Sequence, residues 1–252
     1  MGARPAILLV TKAVFLLALG ALLAASAAAA GPRVQAADYD AFWLWAGVRG
    51  RAELAAAKTI YLHSGEIGPD RNGFVRMKAQ GVTEPGPHKA TLWLVYRVRS
   101  LDWPPQIVAQ IRRRLEAWRA QPGPVAGVQI DFDAATRGLQ NYAAFLRALR
   151  RELPESCALG VTGLMDWASQ ASPEDLNALA GSVDELVFQT YRGAQTVENI
   201  DAYLARLGRL RIPYRLGLAE GAEWSPPRAL AQRPNFLGYV VFLRNRGASI
   251  AR

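Results

Sequence analysis

The residues best suited to chemistry in this chain lie in one short stretch, Gly127-Val128-Gln129-Ile130-Asp131-Phe132-Asp133. In an extended segment, side chains alternate between two faces. Val128, Ile130 and Phe132 then share one face, and Gln129, Asp131 and Asp133 share the other. That polar row fits the inside of a small barrel near its open end. Like charges one pleat apart push one carboxyl toward its protonated form, which puts an acid beside an ionised partner. Asp133 also suits the N-cap of a helix beginning at Ala134. Capping leaves Asp131 and Gln129 without a role.

Further acids and indoles fall at the ends of other apolar runs. Glu66 follows the second run, Asp102-Trp103 the third and Asp166-Trp167 the fifth. Gln189 and Tyr191 end the sixth, and Glu220, with Glu223-Trp224 beyond it, ends the seventh. Trp43 and Trp45 share a face of the first. Carboxylates can protonate a leaving oxygen or stabilise an oxocarbenium-like centre. Indole faces stack on sugar rings with little loss of freedom. The expected chemistry is therefore on a glycan. Asp133 is the candidate general acid and Asp131 its electrostatic partner. Glu66, Asp166 or Glu220 is the candidate second carboxylate. Gln129, Asp166, Trp167, Gln189, Tyr191, Glu220, Trp224, Trp43 and Trp45 are the candidate substrate contacts.

The elements that must position these residues alternate in type. Strands are expected at 41–46, 59–64, 90–96, 127–133, 157–164, 185–190, 214–219 and 237–243. Helices are expected at about 51–58, 104–120, 139–153, 173–180 and 197–210, with one hairpin arm at 74–79. In the second of these helices Ile107, Ile111, Leu115 and Trp118 form one stripe. Eight strands mostly separated by helices predict an α/β fold, a parallel (β/α)8 barrel. It is partly degenerate, with short or missing second, seventh and eighth helices. Gly47-Val48-Arg49-Gly50 does not make the glycine-rich loop of an open doubly wound sheet.

The chain has 252 residues, of which 51% are hydrophobic and 20% charged, enough for one large core. Arg4 and Lys12, an apolar run from Ala13, and Ala28-Ala29-Ala30 read as a secretory signal peptide over 1–30. An uncleaved anchor is the alternative. A linker at 31–37 and one barrel domain at 38–252 complete the expected organisation. Removing residues 1–30 lowers the formal charge from +9 to +7. The expected location is periplasmic or secreted, with no membrane attachment after cleavage. One cysteine, Cys157, permits no internal disulfide, and with His63 and His88 it leaves too few ligands for a His/Cys zinc site. No Walker loop or Gly-x-Ser-x-Gly turn is present, and no metal or cofactor is expected. The basic clusters at Arg112–Arg114 and Arg147–Arg151 read as solvated helix faces rather than a nucleic-acid site.

Residues 126–133 resemble the fourth-strand signature of the chitinase-like glycoside hydrolases of family eighteen, Asp-Gly-x-Asp-x-Asp-x-Glu. Asp131 falls at the last Asp and Asp133 at the catalytic Glu, while Ala126 and Gln129 stand where that pattern has Asp. Gln189-Thr190-Tyr191 resembles the sixth-strand segment whose Tyr positions the substrate's acetamido group. Over nearly all of the chain after residue 30, the sequence resembles an uncharacterised bacterial family, the domain of unknown function 3142. The motifs are Phe42-Trp43-Leu44-Trp45, Tyr61 to Glu66, Val128 to Asp133, Gln189-Thr190-Tyr191 and Gly238 to Phe242. These resemblances imply the barrel and a carbohydrate-related role, either a glycoside hydrolase or a non-catalytic carbohydrate-binding or envelope-assembly protein. A third reading is a scaffold that binds a protein through the basic helices. Oligomeric state is left open.

Overall fold

The computed structural model describes residues 31–45, 47–48, 51–82, 86–133 and 138–245, except the side chains of residues 166, 168, 169 and 173. The proposed signal peptide lies outside the described residues. The chain divides into two units, residues 1–32 and 33–252, and the description below is of the second. Among the described residues no helix is long and apolar enough to cross a membrane.

The strands are β1 (Ala41–Leu44), β2 (Thr59–Pro69), β3 (Val75–Ala79), β4 (Thr91–Val98), β5 (Val125–Phe132) and β6 (Ala158–Leu164). They continue with β7 (Glu185–Gln189), the short hairpin β8 (Tyr191–Arg192) and β9 (Gln195–Thr196), β10 (Tyr214–Ala219) and β11 (Phe236–Phe242). The helices are α1 (Pro105–Arg119), α2 (Leu139–Glu152), α3 (Met165–Gln170), α4 (Pro173–Asn177) and α5 (Ile200–Arg206). Parallel pairing runs β1-β2-β4-β5-β6-β7-β10-β11. It returns from β11 to β1, so eight strands close a ring. This is the expected barrel.

Its second and seventh helices are missing where the sequence placed those gaps, and the residues that would form an eighth, 246–252, lie outside the described residues. After β2 the chain makes an antiparallel hairpin with β3 instead of a helix. Between β10 and β11 a single 3-10 turn, Leu230–Gln232, replaces the seventh helix. The expected helix at 51–58 is also only a 3-10 segment, Ala52–Ala56. None of its residues is fully buried and Leu54 alone of them packs on the core, so little rewards a longer helix. The expected helices at 173–180 and 197–210 shorten to α4 and α5. A helix not foreseen, α3, begins directly after β6.

α1 shows how the outer layer forms. Pro105 sits in its first turn, where a missing N–H costs nothing. Ile107, Ile111, Leu115 and Trp118 are buried, each contributing about 2 kcal/mol. They pack with the outward-facing Leu94, Tyr96, Val128 and Ile130 of the sheet.

The inside of the ring is a separate cluster that includes Trp43, Tyr61, Trp93, Val95, Val187 and Val240. Tyr61 stacks on Trp93 at 5.8 Å between ring centres, and Trp43 meets Tyr61 edge-on at 6.0 Å. Three large rings fit because other inward positions carry no side chain. A Cβ on Gly160 would stand 3.1 Å from the Trp93 ring, and one on Gly217 2.4 Å from the Trp43 ring. Within the ring the Tyr61 hydroxyl donates to Glu185 Oε1, and Arg215 Nε donates to Glu185 Oε2 at 3.0 Å.

Gly217→Ala is therefore expected to destabilise the barrel by about 2 kcal/mol through overpacking against Trp43. Urea unfolding should show a lower midpoint with an unchanged slope.

Candidate functional site

Period-two alternation holds through β5. Val128 and Ile130 join the outer core, while Gln129 and Asp131 point into the ring. Gln129 is wholly buried, and its Oε1 accepts from Trp43 Nε1 at 2.8 Å. This bond spans the interior from β1 to β5. Gln129 therefore braces Trp43.

Asp131 lies one pleat nearer the C-terminal end and is 8% exposed. Its Oδ1 accepts a hydrogen bond from Thr162 Oγ1 on β6 at 2.8 Å. Burial raises its pKa above the usual carboxylate range, the Thr162 bond opposes that rise, and the nearby Asp133 charge adds to it. Asp133 follows at the strand end and is exposed. The residues expected to form the helix it would cap begin at Ala134, and 134–137 lie outside the described residues. The N-cap position of α2 is Gly138.

Asp131 and Asp133 line one hollow of about 350 Å³ with Trp43, Trp45, Arg97, Thr162, Gln189, Tyr191, Gly193 and Phe242. The contributions come from the ends of β1, β4, β5, β6, β7 and β11 and from the β8–β9 hairpin. Such strand ends carry the working residues of parallel barrels. Tyr191 packs 6.1 Å from Phe242, which in turn meets Trp45 at 5.7 Å. Burial raises the Tyr191 phenol above its ordinary pKa, and the charges of Asp131 and Asp133 add to that. The phenol is therefore a hydrogen-bond donor in this setting. Trp45 is half-buried and stacks on His63 at 4.3 Å between ring centres. His63 is buried, burial lowers its pKa, and neither ring nitrogen has a hydrogen-bond partner. The imidazole is thus a buried backing plate for the indole.

Glu66 does not reach that hollow. It lines a second one, of about 510 Å³, with Arg97, Val98, Arg99, Phe132 and Asp133. Three other expected contacts lie elsewhere. Glu220 accepts from both terminal nitrogens of Arg51, at 2.9 Å and 2.5 Å, and from the Arg244 backbone N–H at 3.0 Å. It ties the β10 exit to the chain after β11. Trp167 turns with α3 into the outer layer, is wholly buried and packs on Tyr142. Trp224 is buried in the same layer against Tyr239. An indole at a strand end was expected to face the mouth, but both of these pack into the outer layer, on Tyr142 and Tyr239. The Asp166 side chain lies outside the described residues.

The residues that sequence reasoning missed are Arg97, Thr162, Phe242 and His63. Arg97 shares the period-two face of Trp93 and Val95, a signal available in the sequence. Thr162 sits in an apolar strand and carries no such mark. Among the described residues no group of His, Cys, Asp and Glu could hold a metal ion.

The eight parallel strands close a (β/α)8-type barrel with two carboxylates at its mouth. Residues 85–205 match the model of the family described as "Domain of unknown function (DUF3142)", the family expected from the sequence. The match is narrower than the motif resemblance, which ran from Phe42 to Phe242. No curated protein matches the chain. Among solved structures, the xylanase and alpha-amylase inhibitor protein XAIP-II from Scadoxus multiflorus is similar with a TM-score of 0.52 and 13% identity. That alignment covers 80% of this chain and 91% of the other, and it carries the fold alone. The chitinase domain of the spore coat protein CotE from Clostridium difficile aligns with a TM-score of 0.48 and 14% identity, covering 77% of this chain and 67% of that one. The spore cortex-lytic enzyme SleL from Bacillus cereus aligns with 0.47 and 16%, covering 71% of this chain. This chain spans about half of SleL, 49% of its length.

The raised Asp131 carboxyl gives a pH test. A buried acid whose folded pKa exceeds its unfolded value costs no stability below the unfolded pKa. It costs progressively more as pH rises through the folded one. Asp131→Asn keeps the Thr162 contact and removes this cost. The stability of Asp131→Asn relative to the unaltered protein is expected to be higher at pH about 8 than at about pH 4, the ordinary Asp range. Urea midpoints at the two pH values measure it.

Proposed function

We propose that this protein is an exported, glycoside-hydrolase-like barrel that acts on a polysaccharide through Asp133 and Asp131. The observation that supports this reading is the meeting of Asp131, Asp133, Gln189 and Tyr191 with the rings of Trp45 and Phe242 around one hollow at the barrel mouth. A pyranose stacks on the rings, and its glycosidic oxygen faces the carboxyls. Asp133, on the rim, gives a proton to the leaving oxygen. Asp131 beneath it, held by Thr162, is the neighbouring store of that proton.

On an N-acetylated sugar, the acetamido oxygen supplies the electron pair that displaces the leaving group at the anomeric carbon. Tyr191 and Gln189 hold the acetamide. Water then adds at the same carbon and returns its proton to Asp133. Glu66 does not line the hollow of Asp131 but shares the second one with Asp133, and it is the protein carboxylate that would serve a course without an acetamido group. The N-terminal pattern of basic, apolar and small residues supports export, with the periplasm or the exterior as destination.

A second reading is a non-catalytic glycan-binding protein. Gln129 favours it, because a buried brace for Trp43 stands where the resembling signature carries an acid.

Assay against a panel of neutral and charged polysaccharides separates the two readings. Asp133→Asn is expected to lower turnover by about a hundredfold or more while glycan affinity persists, the scale of general acid catalysis. Trp45→Ala is expected to weaken binding. Unchanged turnover in Asp133→Asn removes that residue from the acid role. Binding without turnover in the unaltered protein selects the second reading.

A further inference from the structure

The hollow at the mouth does not end at Asp133. Arg97 and Asp133 line both it and the second hollow of about 510 Å³, so the two adjoin. The first is walled by aromatic rings, the second by Glu66, Arg97, Arg99 and the edges of Val98 and Phe132. Two adjoining hollows of this kind suit two neighbouring units of a chain-like ligand.

Arg97 and Arg99 are one pleat apart at the end of β4, so they project on the same side. Both are exposed, and among the described residues neither makes an ion pair within 4.0 Å. Arg51, Arg76, Arg150 and Arg215, by contrast, each meet a carboxylate. Arg99 is also seated. A Cβ on Gly68 would stand 3.0 Å from both its Cβ and its Nε, so the glycine makes room for the arginine against β2. Glu66 and Asp131 stand beside Arg97 on β2 and β5, and Asp133 lines the same hollow as Arg97, so an anion is repelled from their side.

Building on the glycan reading above, we propose that the ligand is an anionic glycan. Arg97 and Arg99 hold the oxyanion of a sugar unit next to the one enclosed by Trp45, Tyr191 and Phe242. A planar guanidinium matches a carboxylate, sulfate or phosphate with two parallel hydrogen bonds, which gives both charge and geometry.

The test is calorimetric titration of the full chain with three oligosaccharides of equal length: a neutral chitooligosaccharide, a carboxylated oligogalacturonate and a sulfated chondroitin oligosaccharide. At least one anionic ligand is expected to bind about tenfold or more tightly than the neutral one, the scale of a charge-assisted hydrogen-bond pair. Which of them does so distinguishes carboxylate from sulfate. Arg99 lies outside the mouth hollow, so Arg99→Ala should remove that preference while neutral binding persists, and Arg97→Ala should remove it as well. Arg97→Lys should restore little of it, because an ammonium lacks the planar fork. Arg112→Ala with Arg113→Ala, on the exposed face of α1, should leave it intact. Neutral binding equal to anionic binding overturns the inference and leaves the glycan reading standing. So does a preference untouched by the Arg97 and Arg99 variants, or one lost equally in the α1 variant. Absence of binding to all three ligands, or affinity unchanged by Trp45→Ala, overturns the glycan reading and the inference with it.

Discussion

β1 is hydrogen-bonded along both edges, to β2 on one side and β11 on the other, and this double pairing governs everything inside the ring. Once the sheet is closed, every second side chain of eight strands must share one narrow volume. Trp43, Tyr61 and Trp93 take most of it, and Gly160 and Gly217 yield the space those rings need. The polar groups caught in that volume have to find partners there. Glu185 does so with Tyr61 and Arg215, and Gln129 with Trp43. Only above this packed layer, at the strand ends, does the interior open into a hollow.

The same closure sets the electrostatics of the candidate site. Asp131 and Asp133 are chemically identical and one pleat apart, yet one is 8% exposed and the other faces solvent. Burial raises the pKa of the inner carboxyl, and Thr162 fixes its orientation. A pair of identical acids is thereby divided into an inner and an outer member by depth alone, the kind of division that acid–base sites use. His63 shows a second consequence. Burial lowers the pKa of its ring, which serves as a surface for Trp45.

How much of this was legible in the sequence depended on periodicity. The alternation of Gln129, Asp131 and Asp133 with Val128, Ile130 and Phe132 correctly placed the polar row inside the ring. The stripe Ile107, Ile111, Leu115, Trp118 correctly placed α1 outside it. The spacing of apolar runs gave the eight parallel strands and the missing second and seventh helices. What failed was the step from strand end to hollow. Trp167 and Trp224 follow strands just as Trp45 does, but a turn of one residue decides which layer receives an indole, and periodicity ends where the strand ends. Glu220 looked like a mouth carboxylate, yet Arg51, far away in sequence, claims it. Long-range ion pairs of that kind leave no local mark. Arg97 was readable in principle, being in step with Trp93 and Val95.

The most direct measurement is a carbon-13 NMR titration of the aspartate side-chain carboxyls, with Asp131→Asn used for assignment. One carboxyl is predicted to titrate above the ordinary aspartate range, to be absent from the Asp131→Asn spectrum, and to shift on adding an oligosaccharide that fills the mouth. If Asp131 instead titrates in the ordinary range, the water-poor interior that the account relies on is contradicted.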